Sequence, residues 1–303
     1  MQKLKHIKTI FSIKDLENLS GIKAHTIRIW EKRYGLLEPE RTDTNIRFYS
    51  LQSLQKLLNI SFLNANGYKI SKIAELDEMG FKTEIDKLVN SQVNKDDFLN
   101  NLKISMINYD IQLFEKTYQN VIAKLSFSEV FTDYFIPFLA EIGLLWQSGS
   151  INPTHEHFIS NLIKQKILLE IHKLQLIAPI HDDKFFVMFL PDNEIHDIGL
   201  TFMHYQVLKK GYKSIMLGSS VPMDCLKPFV GKSEKVIFVS YFTIQPEIEN
   251  VIPYLETFKT NVLNSSNAEL YVLGKQVSDM IDENPKFKGI HLFPSLGSAI
   301  SKI

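Results

Sequence analysis

The sequence predicts a multidomain fold in three parts: an all-α winged helix-turn-helix head over residues 1–78, an α-helical bundle over 79–180, and an α/β domain with a doubly wound, Rossmann-like parallel sheet over 181–303. Residues 185–220 carry the last part. An apolar run, Phe185 to Leu190, ends at Pro191, and a polar loop with His196 follows. An amphipathic segment, Leu200 to Lys210, sits between Gly199 and Gly211, and a second apolar run, Ser214 to Leu217, stops at Gly218. This order is strand, loop, helix, strand. Three further apolar runs, Val236 to Ser240, Glu269 to Leu273 and Ile290 to Phe293, alternate with helical segments at Asp224 to Val230, Pro246 to Thr260 and Lys275 to Asp282. Five strands joined by crossovers make a parallel sheet. Charge marks off the head: residues 1–75 hold 13 Lys/Arg against 7 Asp/Glu, and the remainder holds 21 against 27.

The 303 residues, 45% hydrophobic and 22% charged, suit a globular chain of two or three domains. A basic head on an acidic body points to nucleic acid at one end only. Cys225 is the single cysteine, which excludes an internal disulfide and a multi-cysteine zinc site. Met1 to Ile10 carries Lys3, Lys5, His6 and Lys8 with no apolar core after it, so it does not read as a secretory signal. No apolar run nears the roughly 18–20 residues that span a membrane. The expected location is the cytoplasm, with no membrane partner.

In the head, Ser12 can cap a helix at Ile13 to Leu19, Gly21 makes the turn, and a second helix runs from Ala24 to Arg33. His25, Arg28 and Lys32 share one face of that helix at i, i+3, i+7; Ile27, Trp30 and Tyr34 share another. The first face suits a major groove, and the second suits a core, although Trp30 could also touch the nucleic-acid backbone. A polar hairpin tip, Thr42 to Asn45, stands between Arg41 and Arg47-Phe48-Tyr49. Ser50 caps a helix at Leu51 to Asn64, Gly67 ends it, and Ser71 to Leu76 starts another. In order, TIR-x-W-E, GLL-x-P-x-R and R-x-Y-S make this stretch closely resemble the DNA-binding domain of the MerR family. The resemblance implies a dimer or tetramer on a double-stranded operator. Arg28 would enter the groove, Arg41, Arg47 and Tyr49 would clamp phosphate, and His25, Thr26, Lys32 and Arg33 would complete the surface. Asn45-Ile46 stands where the family usually has Gly-Tyr.

Apolar residues recur helically through Phe98, Leu102, Met106, Ile111, Phe114, Val121 and Leu125; then come Phe131 to Trp146 and a last helix, Thr154 to Leu176. As a bundle alone this is a spacer or a dimerisation element. Trp146, followed after nine residues by Glu156-His157, resembles the helical cap of cobalamin-binding regulators, in which these three side chains lie over the upper face of the corrin.

The α/β part lacks the glycine-rich fingerprint G-x-G-x-x-G, which argues against a dinucleotide. Instead Glu194-Ile195-His196-Asp197-Ile198-Gly199 resembles the D-x-H-x-x-G loop of the cobalamin-binding fold. Ser240 resembles its S-x-L serine, Gly274 its Gly-Gly pair, and LGSSVP, which contains Ser219, its L-G-x-x-V-P segment. The resemblance implies that His196 ligates cobalt from below and that the displaced nucleotide tail runs beside Ser240 and Gly274. Imidazole suits cobalt, and a carboxylate two residues before it can hold its other nitrogen. Three substitutions depart from the pattern: Glu194 for Asp, Phe242 for Leu, and Lys275 for the second Gly.

Together these resemblances imply a transcriptional repressor controlled by cobalamin, adenosylcobalamin ahead of methylcobalamin, and not an enzyme. Light sensing through the cobalt–carbon bond of adenosylcobalamin comes with the family. Some light-sensing relatives carry a histidine directly after the tryptophan, where this chain has Gln147. The alternative is a regulator whose degenerate cobalamin-like domain meets a protein partner instead. A corrinoid carrier or mutase would leave residues 1–75 unexplained.

Overall fold

The computed structural model describes residues 10–91, 95–231, 234–264, 266–278, 280 and 287–303, which form two compact units, Met1–Ile163 and Lys164–Ile303. The lysines at the extreme N-terminus and the predicted helix end at Asp282 lie outside the described residues.

The first unit opens with β1 (Ile10–Phe11) and α1 (Ile13–Ser20). Ser12 caps α1 as its sequence predicts: Asp15 N–H donates to Ser12 Oγ at 3.2 Å, and Ser12 N–H donates to the Asp15 carboxylate at 2.8 Å. Gly21, at φ 73°, ends the helix. α2 (Ala24–Tyr34) has Lys23 at its cap position, which offers no acceptor. Glu17 of α1 supplies one, accepting from Ala24 N–H at 3.1 Å while pairing with Lys23 at 3.0 Å, and so locks the turn. The wing is β2 (Glu40–Arg41) and β3 (Arg47–Ser50). β1 pairs with the other edge of β3, giving an antiparallel sheet ordered β1-β3-β2. The head is therefore not all-α. Strands of two residues are too short to show the alternation by which sequence reveals a strand.

α3 (Leu51–Ala65) starts from its Ser50 cap and is followed by α4 (Ile70–Ile73), α5 (Glu78–Ser91), α6 (Lys95–Asn108), α7 (Ile111–Ile122), α8 (Phe127–Val130) and α9 (Ile136–Gln147). The single helix expected over Phe131 to Trp146 begins earlier and is wound in the wider π form at Phe131–Phe135. Pro137, in the first turn of α9, has no N–H to bond four residues back, and the winding changes next to it. Phe135 is fully buried there between the rings of Phe98, Phe114 and Tyr118, at centroid distances of 5.9, 6.4 and 6.1 Å. α10 (Pro153–Gln175) begins in this unit and continues into the other. Asn152 fixes its start, accepting from Thr154 Oγ1 at 2.6 Å and from His155 N–H at 3.2 Å. One polar contact links the helix-turn-helix to the turn after α9: Asn18 Nδ2 donates to Ser150 Oγ at 3.1 Å.

The second unit contains β4 (His181–Phe189), α11 (Ile198–Lys209), β5 (Tyr212–Gly218), β6 (Lys235–Tyr241), α12 (Ile248–Phe258), β7 (Glu269–Leu273), α13 (Lys275–Ser278), β8 (Ile290–Leu292) and α14 (Leu296–Lys302). The five strands are parallel in the order β5-β4-β6-β7-β8. β4 and β6 leave the sheet in opposite directions, so the carboxyl ends of these two strands form the switch point where such folds bind ligands. The segment expected as a helix at Asp224 to Val230 is a 3-10 turn, Met223–Phe229, with Pro228 inside it unable to donate a helical hydrogen bond. Phe189, Phe238, Phe242 and Phe258 fill the core beneath α12.

Among the described residues, each unit holds one buried neutral histidine. Burial lowers His155 and His204 to about 4; His204 Nδ1 also lies 2.8 Å from Ser214 Oγ. An unfolded histidine titrates near 6.5. Between these values the unfolded chain binds more protons, so this stability is complete above about pH 6.5 and drains away as pH falls towards 4. The slope is about 1.4 kcal/mol per pH unit per histidine. Urea unfolding at pH 7 and pH 5 measures it. His204→Asn is expected to flatten the slope, and an unchanged slope refutes the assignment.

Candidate functional site

The loop after β4 is organised by Glu194, whose carboxylate is fully buried. Oε1 accepts from the N–H groups of Ile195 and His196, both at 2.9 Å, and lies 2.6 Å from His196 Nδ1. Oε2 accepts from the N–H groups of Thr243, Ile244 and Gln245 at 3.1, 2.7 and 2.8 Å. One side chain thus ties the loop after β4 to the loop after β6 across the switch point. Burial alone would raise the carboxyl, but the hydrogen bonds from His196 and the backbone lower it to about 2. A carboxylate at that value accepts from Nδ1–H, which places the imidazole lone pair on Nε2.

Ile195 after β4, Leu217 near the end of β5, and Ile244 and Ile248 after β6 are exposed, an apolar rim along the carboxyl edge of the sheet that also carries His196. Asp197 is held by Lys164 of α10 at 2.5 Å. Ser240, at the end of β6, is fully buried, and its hydroxyl has no hydrogen-bond partner among the described residues. Gly274 has φ 109°, and a Cβ there would stand 2.2 Å from the Phe242 carbonyl oxygen. Gly199 faces the Tyr241 ring, which a Cβ would meet at 2.6 Å. Ser219 is exposed, and it is Ser220 that braces the loop, accepting from Asn193 N–H at 3.1 Å. Phe242, the residue after β6, packs edge-on against Tyr254 at 5.4 Å, continuing the alternation that sends Val236 and Phe238 of that strand to the α12 face. Lys275 is exposed.

In the first unit, Trp146 is about half exposed at the end of α9. One turn into α10, Glu156 accepts from Ser160 Oγ at 2.8 Å and pairs with His157 Nδ1 at 3.1 Å. The Tyr109 hydroxyl donates to Thr154 Oγ1 at 2.6 Å, and its ring stacks on His155 at 5.1 Å, setting the register of that turn.

On the head, His25, Arg28, Lys32 and Arg33 are exposed, while Ile27 and Trp30 are buried, so the tryptophan is a core residue. Thr26 Oγ1 lies 3.3 Å from His25 Nε2, and Arg33 lies over the Tyr34 ring at 5.4 Å. Arg41 donates to Asn45 Oδ1 at 2.7 Å, and Asn45 takes φ 65°, a left-handed conformation that asparagine tolerates better than most residues. Tyr49 corrects the reading as a phosphate clamp. It is fully buried, and its hydroxyl donates to Glu31, because its strand position points into the head. Glu31, the acidic residue of TIR-x-W-E, also lies 3.3 Å from Arg47 Nε. This positioning residue was hidden in the sequence because its partners are 16 and 18 residues away in the wing.

Residues 11–79 match the model of the MerR HTH family regulatory protein, and residues 99–169 match that of the B12 binding domain. The chain thus carries a MerR-type helix-turn-helix domain followed by a B12 binding domain. The chain is homologous to two Myxococcus xanthus proteins. It is 26% identical to the HTH-type transcriptional repressor CarH, over 69% of this chain and 70% of that one, and 24% identical to the repressor CarA, over 71% and 70%. The fold of the Methanosarcina barkeri monomethylamine corrinoid protein superposes with a TM-score of 0.54 at 14% identity, covering 69% of this chain and 98% of that one.

The residues fit a cobalamin. His196 stands with a carboxylate already committed to six hydrogen bonds, a donor set too poor to chelate a bare ion but suited to a metal that brings its own macrocycle. The apolar rim suits a large flat ligand, and the orphaned Ser240 hydroxyl suits a buried polar tail. Among the described residues, no helix is long and apolar enough to cross a membrane.

Proposed function

We propose that this protein is a transcriptional repressor whose operator binding and self-association are controlled by adenosylcobalamin and reversed by light. The observation that carries it is His196, held through Nδ1 by a buried carboxylate at the switch point of a corrinoid-type fold. His196 would ligate cobalt, Glu194 would fix its tautomer, and Ser240 and Gly274 would flank the tail. Trp146, Glu156 and His157 would enclose the upper ligand. When bound, adenosylcobalamin supplies a photolabile cobalt–carbon bond. Gln147 is exposed beside Trp146 and offers a carboxamide, a poor ligand, so recapture of cobalt by this position is not expected. The chain binds its cofactor and does not turn it over, and the cytoplasm is its expected location.

The test is operator binding by the adenosylcobalamin-loaded protein in darkness and after green light. Strong binding in the dark that is lost on illumination supports the proposal; equal binding in both removes light from it.

On the DNA side, Arg28→Ala is expected to weaken specific binding by about 1–3 kcal/mol, the worth of a bidentate arginine–base contact. Arg47→Ala is expected to weaken binding to every sequence and to lower the salt slope by about one. Tyr49→Phe is expected to leave the salt slope alone and to cost about 1 kcal/mol of stability, since it removes an internal hydrogen bond to Glu31. Salt titrations of the three variants on one duplex separate these roles.

A further inference from the structure

Two isoleucines flank Arg28 on α2, and the fold treats them oppositely. Ile27 is fully buried, whereas Ile29 is about half exposed. Ile29 lies four residues after His25, next to Arg28, and three before Lys32, so it sits in the middle of the exposed basic face. An isoleucine in a ring of exposed cationic and polar side chains gains nothing from water. The basic surroundings fit a polyanion, not an apolar protein face. The major groove is the one part of DNA that offers both a phosphate border for the cations and an apolar group inside, the C5 methyl of thymine.

We infer that Ile29 is a specificity-determining residue that reads a thymine methyl in each operator half-site. The inference rests on the DNA-binding reading above and adds to it a base and an atom. Arg28 sets the hydrogen-bonded base, and Ile29 selects thymine beside it by apolar contact. Replacing thymine with deoxyuridine removes only the methyl, so the contact is tested without changing base pairing.

The experiment uses the full-length protein to select duplexes from a random pool, then replaces each selected thymine singly with deoxyuridine. One thymine per half-site is expected at which the change weakens binding by roughly fourfold, the worth of about one buried methyl group. Ile29→Ala is expected to bind the thymine duplex about as weakly and to be indifferent to deoxyuridine at that position. Unfolding of Ile29→Ala matching the parent shows that the head is intact. The inference is overturned if the parent tolerates deoxyuridine everywhere, or if Ile29→Ala remains sensitive at the same thymine. Selection of no duplex at all overturns the DNA-binding reading itself, a distinguishable outcome.

Discussion

His196→Ala is expected to lose cobalamin affinity by more than the roughly 10–100-fold that removing a ligand's hydrogen-bond partner costs. The absorption spectrum of any cofactor still bound is expected to shift to a form without histidine ligation. The substitution removes a half-exposed ring and leaves the Glu194 bonds to the backbone of residues 195, 196 and 243–245 in place, so the fold is expected to persist. Unchanged affinity and spectrum would rule out His196 as the ligand. Glu194→Gln gives the companion result. Sequence alone marks it as mild, a charge lost beside a ligand. The geometry makes it severe, because the amide nitrogen of glutamine would be turned against backbone N–H donors on one of the two loops. Each donor left unsatisfied there costs about 1–3 kcal/mol. Equilibrium unfolding is expected to show that loss even without cofactor, which a residue acting only on the metal would not produce.

Gly274→Ala is the second large effect. The new Cβ would sit 2.2 Å from the Phe242 carbonyl oxygen, 2.6 Å from its carbon and 2.7 Å from its nitrogen, at a φ of 109°. These are backbone atoms, pinned by Phe242 N–H donating to the Leu273 carbonyl at 2.7 Å, so nothing can swing aside. Strain and overpacking together are expected to cost about 3–5 kcal/mol. Gly199→Ala is the control: it meets the Tyr241 ring, a side chain and not backbone, and its φ is ordinary. Urea denaturation of both variants decides the matter, and equal losses would mean that the approach of Phe242 to Gly274 is not the constraint.

Much of this was legible in the sequence, for identifiable reasons. Ser12, Gly21 and Ser50 mark helix ends through bonds made within four residues, so spacing alone exposes them. β7 coincides with the predicted run, Glu269–Leu273, because the buried part of a strand covered on both faces, here Leu270 to Leu273, is continuously apolar. β4 was predicted short, since its first residues, His181, Asp182 and Asp183, are polar and exposed where the strand outruns its core. Tyr49 was misread because a motif gives the order of residues and not the side of the strand on which each falls.

What the sequence determined by itself was therefore local: the helix-turn-helix, the order of strands and helices, and the loop that presents His196. What only the tertiary structure decided was which distant groups meet. Glu194 and residues 243–245 are about fifty positions apart, and they meet because the β5-β4-β6 order sets the third strand of this sheet beside the first. Glu31 reaches the wing, and Asn18 reaches Ser150, by the same kind of closure. Local bonds leave a periodic trace in the chain, whereas a carboxylate that closes two loops leaves none until the sheet has formed around it.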